Sequence, residues 1–429
     1  MEANLSPEIS PPQASQKAEA LARKENLEDK RVETESVPKD KEKDPFKDAR
    51  EGQARILEAV LAEKHLYYDQ DAFNNQFQED NKRFLTIDVV EPTIDAEGNT
   101  IDMRRRFFKA YLPQQNPEND ATIKEHFKRQ VRVQEFLDER TDFPVTEILD
   151  SNTHEESGPL YSLVNWYDAG EGVGFLREVG DQEKLTDEHA QIAIVAIRSL
   201  HNQKEIPSEL ISVLDKRVAY RDFDGFRENL RQIFDRRVVG AGSFHSPEGS
   251  SYAELMARKT GSVDFTGQVD ALIDSSRAVI EEYQGKGVHL VHGDFAPNNI
   301  FLGDGYNSDK FIGLDFEWAG GSENEVLAAI YDFGNLHARS WNNPAFQDAL
   351  SREMIASYTA HGREDVGRAV VSLGILRSHM NLGSYFENVP PDKEVDVEIK
   401  CRQETEKALP KAWTAVGLEV PFQVAENPS

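Results

Sequence analysis

Residues 288 to 300 read Val-His-Leu-Val-His-Gly-Asp-Phe-Ala-Pro-Asn-Asn-Ile, an apolar stretch that runs into His292, Asp294 and Asn299. An aspartate followed five positions later by an asparagine suits phosphoryl transfer. The carboxylate accepts a hydroxyl proton, and the asparagine holds a magnesium ion on the nucleotide phosphates. That chemistry needs a second metal ligand from a neighbouring strand end. Phe311-Ile312-Gly313-Leu314 reads as the strand and Asp315 follows it directly. A His-Gly-Asp tripeptide alone is weak evidence; the joint order strand, His292, Asp294, Asn299, strand, Asp315 carries the reading.

The His-Gly-Asp variant resembles the aminoglycoside phosphotransferase and choline kinase families, over about residues 50 to 410 and most specifically from 288 to 336. Asp315-Phe316-Glu317-Trp318 followed by Asp332-Phe333-Gly334-Asn335 is similar to the choline kinase branch. The loop from His292 to Asn299 looks more like the antibiotic kinase branch, so the two signatures point at different acceptors. The resemblance implies an α+β, bilobal protein-kinase-like fold, with a small antiparallel-sheet N-lobe and a larger, mainly helical C-lobe. It implies ATP as phosphoryl donor, Mg2+ as cofactor and a small-molecule hydroxyl acceptor: aminoglycoside-like, choline- or ethanolamine-like, or a sugar. Asp294 is then the base, with His292 fixing the loop beside it by hydrogen bonds, and Asn299 and Asp315 hold the metal. A degenerate kinase fold that binds nucleotide without transfer is the alternative.

Several elements must position this loop. Arg83 to Val90 and Met103 to Leu112 read as strands joined by a turn at 95–99, and the second carries Lys109 among apolar neighbours, as a phosphate-pairing lysine of a third strand would be. A helix over Thr122 to Glu139 follows. In the family register its lysine partner falls on Gln130, where a glutamate is expected; Glu125 or Glu135 would serve only if the helix were shifted or rotated. The segment from Gly158 to Gly170 resembles the inter-lobe hinge, placing Val164, Asn165 and Trp166 at the nucleobase, with Tyr167 beside them. No Gly-x-Gly-x-x-Gly precedes Lys109, and residues 67 to 82 contain no glycine.

Beyond the hinge, helical patterns cover 186–203, 223–237, 269–283, 345–361, 365–387 and 393–415, with a Gly- and Ser-rich excursion over 238–267. Asp332 reads as a residue at a helix start that braces the catalytic loop rather than as a metal ligand. Glu317 is left between a second-metal role and accepting hydrogen bonds. Trp318, Trp341 and Tyr385 have the chemistry to wall a quaternary ammonium group, although packing is the simpler role.

Composition bounds the rest. The chain has 429 residues, 38% of them hydrophobic, enough for a large core. Its one cysteine, Cys401, rules out a disulfide framework or a cysteine zinc site. A net charge of −28 repels nucleic acid and anionic membranes and would favour approach of cationic small molecules, although solubility is the simpler role of such a surface. The start of the sequence has no signal-type segment and no apolar run long enough to span a bilayer, which leads to an expectation of a cytoplasmic protein. The expected organisation is a disordered charged tail over 1–45, a nucleotide-binding N-lobe over 46–165, a C-lobe with loop, metal site and acceptor pocket over 166–415, and a tail over 416–429.

Overall fold

The computed structural model describes residues 45–78, 82–97, 99–167, 174–176, 185–203, 205–215, 221–234, 265–303, 311–381 and 407–421. The expected tail up to residue 44, Tyr385, residues 168–170 of the hinge segment, 238–264 of the expected excursion and 393–406 of the last expected helix lie outside the described residues. The chain divides into two units, Met1–Asp48 and Ala49–Ser429. The second holds everything that follows except the first four residues of the first helix.

Its first part is an antiparallel sheet of five strands, β1 (Tyr67–Tyr68), β2 (Phe84–Ile94), β3 (Thr100–Tyr111), β4 (Ile148–Asn152) and β5 (Tyr161–Asn165), in the spatial order β1-β2-β3-β5-β4. Alternation along the strands decides what each face sees. Leu85, Ile87, Val89, Phe108, Ala110 and Leu163 point to one side, where α1 (Pro45–Glu63) and α2 (Gln70–Gln78) cover them with Leu57, Leu61 and Phe73. Phe84 and Tyr111 point to the other side and pack under Ile123, Phe127 and Val131 of α3 (Pro117–Arg140). Lys109, paired with Thr86 across β2 and with Ser162 across β5, stands between Phe108 and Ala110 and so emerges on the α3 side. Helix α3 starts earlier than the apolar spacing predicts, because Asn116 caps it through Glu118 N and Asn119 N and Pro117 occupies the first turn.

The second part is mainly helical: α4 (Asp187–His201), α5 (Ser208–Val213), α6 (Phe223–Phe234), α7 (Phe265–Ser275), α8 (Arg277–Glu281), α9 (Glu325–Arg339), α10 (Pro344–Thr359), α11 (Glu364–Asn381) and α12 (Leu409–Ala415). The single helix expected over 269–283 is two, broken at Ser276, and the one expected from 345 begins at Pro344. Asp332 is not at a helix start. Asn324 caps α9 through Val326 N and Leu327 N, which puts Asp332 in mid-helix, fully buried. Helices α9 and α11 approach backbone to backbone: a Cβ on Gly334 would lie 2.8 Å from Gly374 O. Short strands carry the loops, with β7 (His289–Val291) pairing β10 (Gly320–Ser322) and β8 (Ile300–Leu302) lying between β6 (Gly174–Phe175) and β9 (Phe311–Gly313). The small antiparallel sheet followed by a larger, mainly helical part is the expected α+β arrangement. Among the described residues no helix is long and apolar enough to cross a membrane.

His337, on α9, is sealed in the helical core, where burial lowers its pKa to about 3. The unfolded chain therefore takes up this proton first. The stability that depends on a neutral His337 is present above the ordinary imidazole pKa of about 6.5 and is lost as pH falls toward the folded value. Between pH 7 and pH 5 that loss is about 2 kcal/mol. Urea unfolding at the two pH values should show a difference smaller by this amount in His337→Gln than in the wild type. Equal differences would mean that the buried imidazole takes up its proton at the same pH as in the unfolded chain.

Candidate active site

The loop from His292 to Asn299 begins where β7 ends. His292 is fully buried; its Nε2–H donates to Leu314 O at 2.8 Å, which leaves Nδ1 to accept from Asp294 N at 3.3 Å. Its ring lies 4.6 Å from that of Phe316 and 5.3 Å from that of Phe295. His292 therefore ties the loop to the end of the strand bearing Asp315, and no atom of it is left for a reactant.

One face of α9 grips the same loop from below. Asp332 accepts from His292 N at 2.9 Å and from Gly293 N at 3.1 Å, and its Oδ2 lies 2.9 Å from Nε2 of the buried His201. Asn335 donates to Gly293 O at 2.9 Å, and Arg339 stands 3.5 Å from Asp294 Oδ1. Positions 332, 335 and 339 are one helical stripe. Asp332 thus braces the loop, as its sequence context predicts. Arg339 escaped the sequence reading, although its place seven residues after Asp332 on a helix was a usable signal.

Asp294 keeps its carboxylate partly exposed. Asn299, at the end of a short 3-10 turn over Pro297–Asn299, donates Nδ2–H to Asp294 O at 2.9 Å, with Asp294 Oδ2 at 3.4 Å. Its Oδ1 is thereby turned away from Asp294. Leu314 N donates to Asn299 O at 3.0 Å, which brings Asp315 alongside. Asp315 is a non-glycine residue at φ 59°, ψ 65°, a left-handed conformation that costs conformational energy and that this backbone imposes at the turn. Its Oδ1 lies 3.2 Å from Lys109 Nζ, and Lys109 donates to Gln130 Oε1 at 2.6 Å.

Gln130, then, faces Lys109. Glu135 instead receives the Ser151 hydroxyl, and Glu125 lies beside Lys128 on the outer side. Lacking a lysine–glutamate ion pair, α3 is held by its neighbours. Arg129 donates to Val213 O at 2.7 Å and to Glu317 O at 2.6 Å and lies 3.7 Å from Asp215 Oδ2, while His126 packs on Trp318 with ring centroids 4.4 Å apart. Trp318 is therefore part of this anchor rather than of an acceptor wall. Its Nε1–H also donates to Glu317 Oε1, which receives Arg83 Nη2 at 3.2 Å as well. Glu317 is buried, its Oε2 has no partner among the described residues, and its pKa is raised by burial and by the charge of Asp315.

Between the lobes lies a cavity of about 480 Å³. Val164, Asn165, Trp166 and Tyr167 line its hinge side, Phe107 and Phe301 its walls, and Lys109, Gln130, Asn299 and Asp315 its inner end. The donor chemistry suits a magnesium nucleotide. Two hard oxygens, from Asn299 and Asp315, are a number typical of Mg2+ shared with phosphates, which keeps most of its shell in water and phosphate oxygen. Among the described residues no cluster of three or more metal-ligating His, Cys, Asp or Glu side chains occurs. An aromatic slot ending in an ammonium group suits a base with a charged tail.

No protein-family model matches the sequence, and no curated protein sequence does. Among solved structures the chain is similar to an ethanolamine kinase of Plasmodium vivax, with 12% identity, 95% of this chain and 98% of that one covered, and a TM-score of 0.46. It is also similar to a microcompartment-associated aminopropanol kinase, at 14% identity over 78% and 91% of the two chains with a TM-score of 0.45. A third is a choline kinase from Cryptosporidium parvum, at 12% identity over 83% and 94% with a TM-score of 0.44.

Gly293 tests the loop geometry. It sits at φ +84°, and a Cβ there would lie 2.0 Å from Trp318 O. Backbone cannot yield as a side-chain tip would. Gly293→Ala should lose at least about 2 kcal/mol of stability through strain and clash and shift the thermal transition down, whereas Gly285→Ala, which shares a positive φ of +70° but has open space around its Cβ, should lose less because only the strain applies. Equal melting temperatures for the two variants would contradict the close approach of the Asp294 and Trp318 loops.

Proposed function

We propose that this protein is an ATP-dependent small-molecule kinase that transfers the γ-phosphoryl group to a hydroxyl acceptor. The observation that carries the reading is the meeting of Lys109, Asn299 and Asp315 at the inner end of one slot, with Asp294 beside Asn299, from three separate chain segments. The nucleobase would lie against the hinge at Val164 to Trp166, between Phe107 and Phe301. Lys109, steadied by Gln130, would take phosphate oxygens. Asn299 and Asp315 would hold Mg2+, which supplies charge neutralisation on the phosphates when bound.

Asp294 supplies the base. It takes the proton of the acceptor hydroxyl as that oxygen forms its bond to the γ-phosphorus, while the bond to the bridging oxygen breaks and ADP leaves. Arg339 fixes one carboxylate oxygen, and Asn299 lies beside the other. A cation already stands next to the base, so an amine-bearing acceptor would carry its charge away from the reacting hydroxyl. Aminoglycoside-like, choline- or ethanolamine-like and sugar acceptors all fall within this reading. The net charge of −28 favours such small molecules over nucleic acid or anionic membranes, and a cytoplasmic setting goes with that reading. The lobes would correspond to residues 46–165 and 166–415, with tails on either side.

Turnover by purified Asp294→Ala, on any acceptor found active in a panel of hydroxyl compounds, should fall about 10²- to 10⁴-fold while affinity for Mg·ATP is retained. Wild-type turnover in the variant would remove Asp294 from the chemistry.

Gln130 favours a second reading, a kinase fold that binds nucleotide without transfer, because a neutral partner holds Lys109 less firmly than a carboxylate. Gln130→Glu should turn the contact into an ion pair and raise kcat/KM for ATP by up to about tenfold. A wild type that binds Mg·ATP yet phosphorylates nothing, together with gain of turnover in Gln130→Glu, would establish the second reading.

A further inference from the structure

We infer that Arg83 is a phosphate-binding residue of the nucleotide site, taking over the work that a glycine-rich strand-to-strand loop does elsewhere. This rests on the nucleotide-binding part of the reading above and names a residue that the reading does not use.

The connection from β1 to β2 would be the place for backbone amides that cradle phosphate. Here it contains no glycine and is instead built around α2. Phe73 of that helix is fully buried, and the Gln76 side chain occupies the edge of β2, donating to Thr86 O at 2.9 Å and accepting from Thr86 N at 3.1 Å. The amide of Thr86, a residue that lines the cavity, is thus already committed. A triphosphate tail still requires donors, and Lys109 is shared between Gln130 and Asp315.

Arg83 enters at the start of β2, next to this gap. Its guanidinium carbon lies 5.5 Å from the centroid of the Phe84 ring, and Lys109 Nζ lies 4.5 Å from the same centroid. Both cations therefore flank one ring, and Lys109 reaches from it into the cavity's inner end. Arg83 is held by Glu317 Oε1 at 3.2 Å, a carboxylate two residues from Asp315 whose backbone carbonyl is clamped by Arg129. Glu317 is 5% exposed in its side chain, whereas Arg83 is 44% exposed and Lys109 12%. A buried carboxylate anchors one prong of the fork, and the remaining N–H groups face outward. That is how arginine is pre-organised for a phosphate.

A plain structural bridge between β2 and the Asp315 turn would produce the same contacts, so the experiment must separate the two roles. Isothermal titration of the full chain with adenosine, Mg·ADP and the non-hydrolysable Mg·AMP-PNP serves, on wild type, Arg83→Met and Arg83→Lys, with melting temperatures alongside. Loss of a charge-assisted contact should weaken Mg·AMP-PNP by about tenfold to hundredfold in Arg83→Met. Adenosine affinity should stay unchanged, and Arg83→Lys should recover part of the loss. Equal weakening of all three ligands would mean a bridge only, and equal affinity of Arg83→Met for Mg·AMP-PNP would mean no role at all. Either result overturns the assignment while leaving the nucleotide site intact. A wild type that binds none of the three ligands overturns both the assignment and the reading beneath it.

Discussion

Everything in this site hangs on one buried carboxylate. Asp332 sits at 0% exposure in the middle of α9, and taking such a group out of water costs several kcal/mol unless its oxygens are filled. The amides of His292 and Gly293 fill them, together with His201. The compensation works only while the loop keeps its shape. A polar group that would otherwise be a liability in the core thus makes the loop conformation obligatory, and Gly293 is the residue that can adopt it against the Trp318 carbonyl.

The loop in turn sets the metal side. His292 reaches Leu314 O, and Asn299 O receives Leu314 N, so the strand end bearing Asp315 is fixed by two contacts from the segment that carries Asp294. Asp294 and Asp315 are therefore held together by the chain around them rather than on two loops that must find each other. The left-handed backbone of Asp315 is tolerated because both flanking contacts over-determine it.

Helix α3 shows how a missing ion pair can be replaced. With Gln130 opposite Lys109, the helix is positioned by Arg129 on two backbone carbonyls and by the His126–Trp318 stack, contacts that involve the turn just after Asp315. Charge-assisted bonds to carbonyls do not depend on the state of the lysine. Placement of the helix is thereby separated from occupancy of the nucleotide slot, a different logic from one in which lysine and glutamate must meet to bring the helix in.

What the sequence by itself determined is what local spacing controls. Asp294 and Asn299 lie five residues apart across one 3-10 turn, so their proximity follows from the chain. The face on which Lys109 emerges follows from strand alternation, and the grip of Asp332 on the loop was legible from its motif. Helix limits were less legible, because Asn116, Asn324 and Ser276 start or break helices where apolar spacing carries on or has not yet begun. Tertiary structure alone decided which groups converge from afar: Gln130 on Lys109, Arg339 on Asp294, and Arg83 on Glu317, 234 residues away. A surface arginine at the start of a strand looks like any other in sequence. Its role depends on a carboxylate whose burial and aim exist only once both lobes have folded, since charge interactions are set by separation and desolvation, and neither is a property of the linear chain.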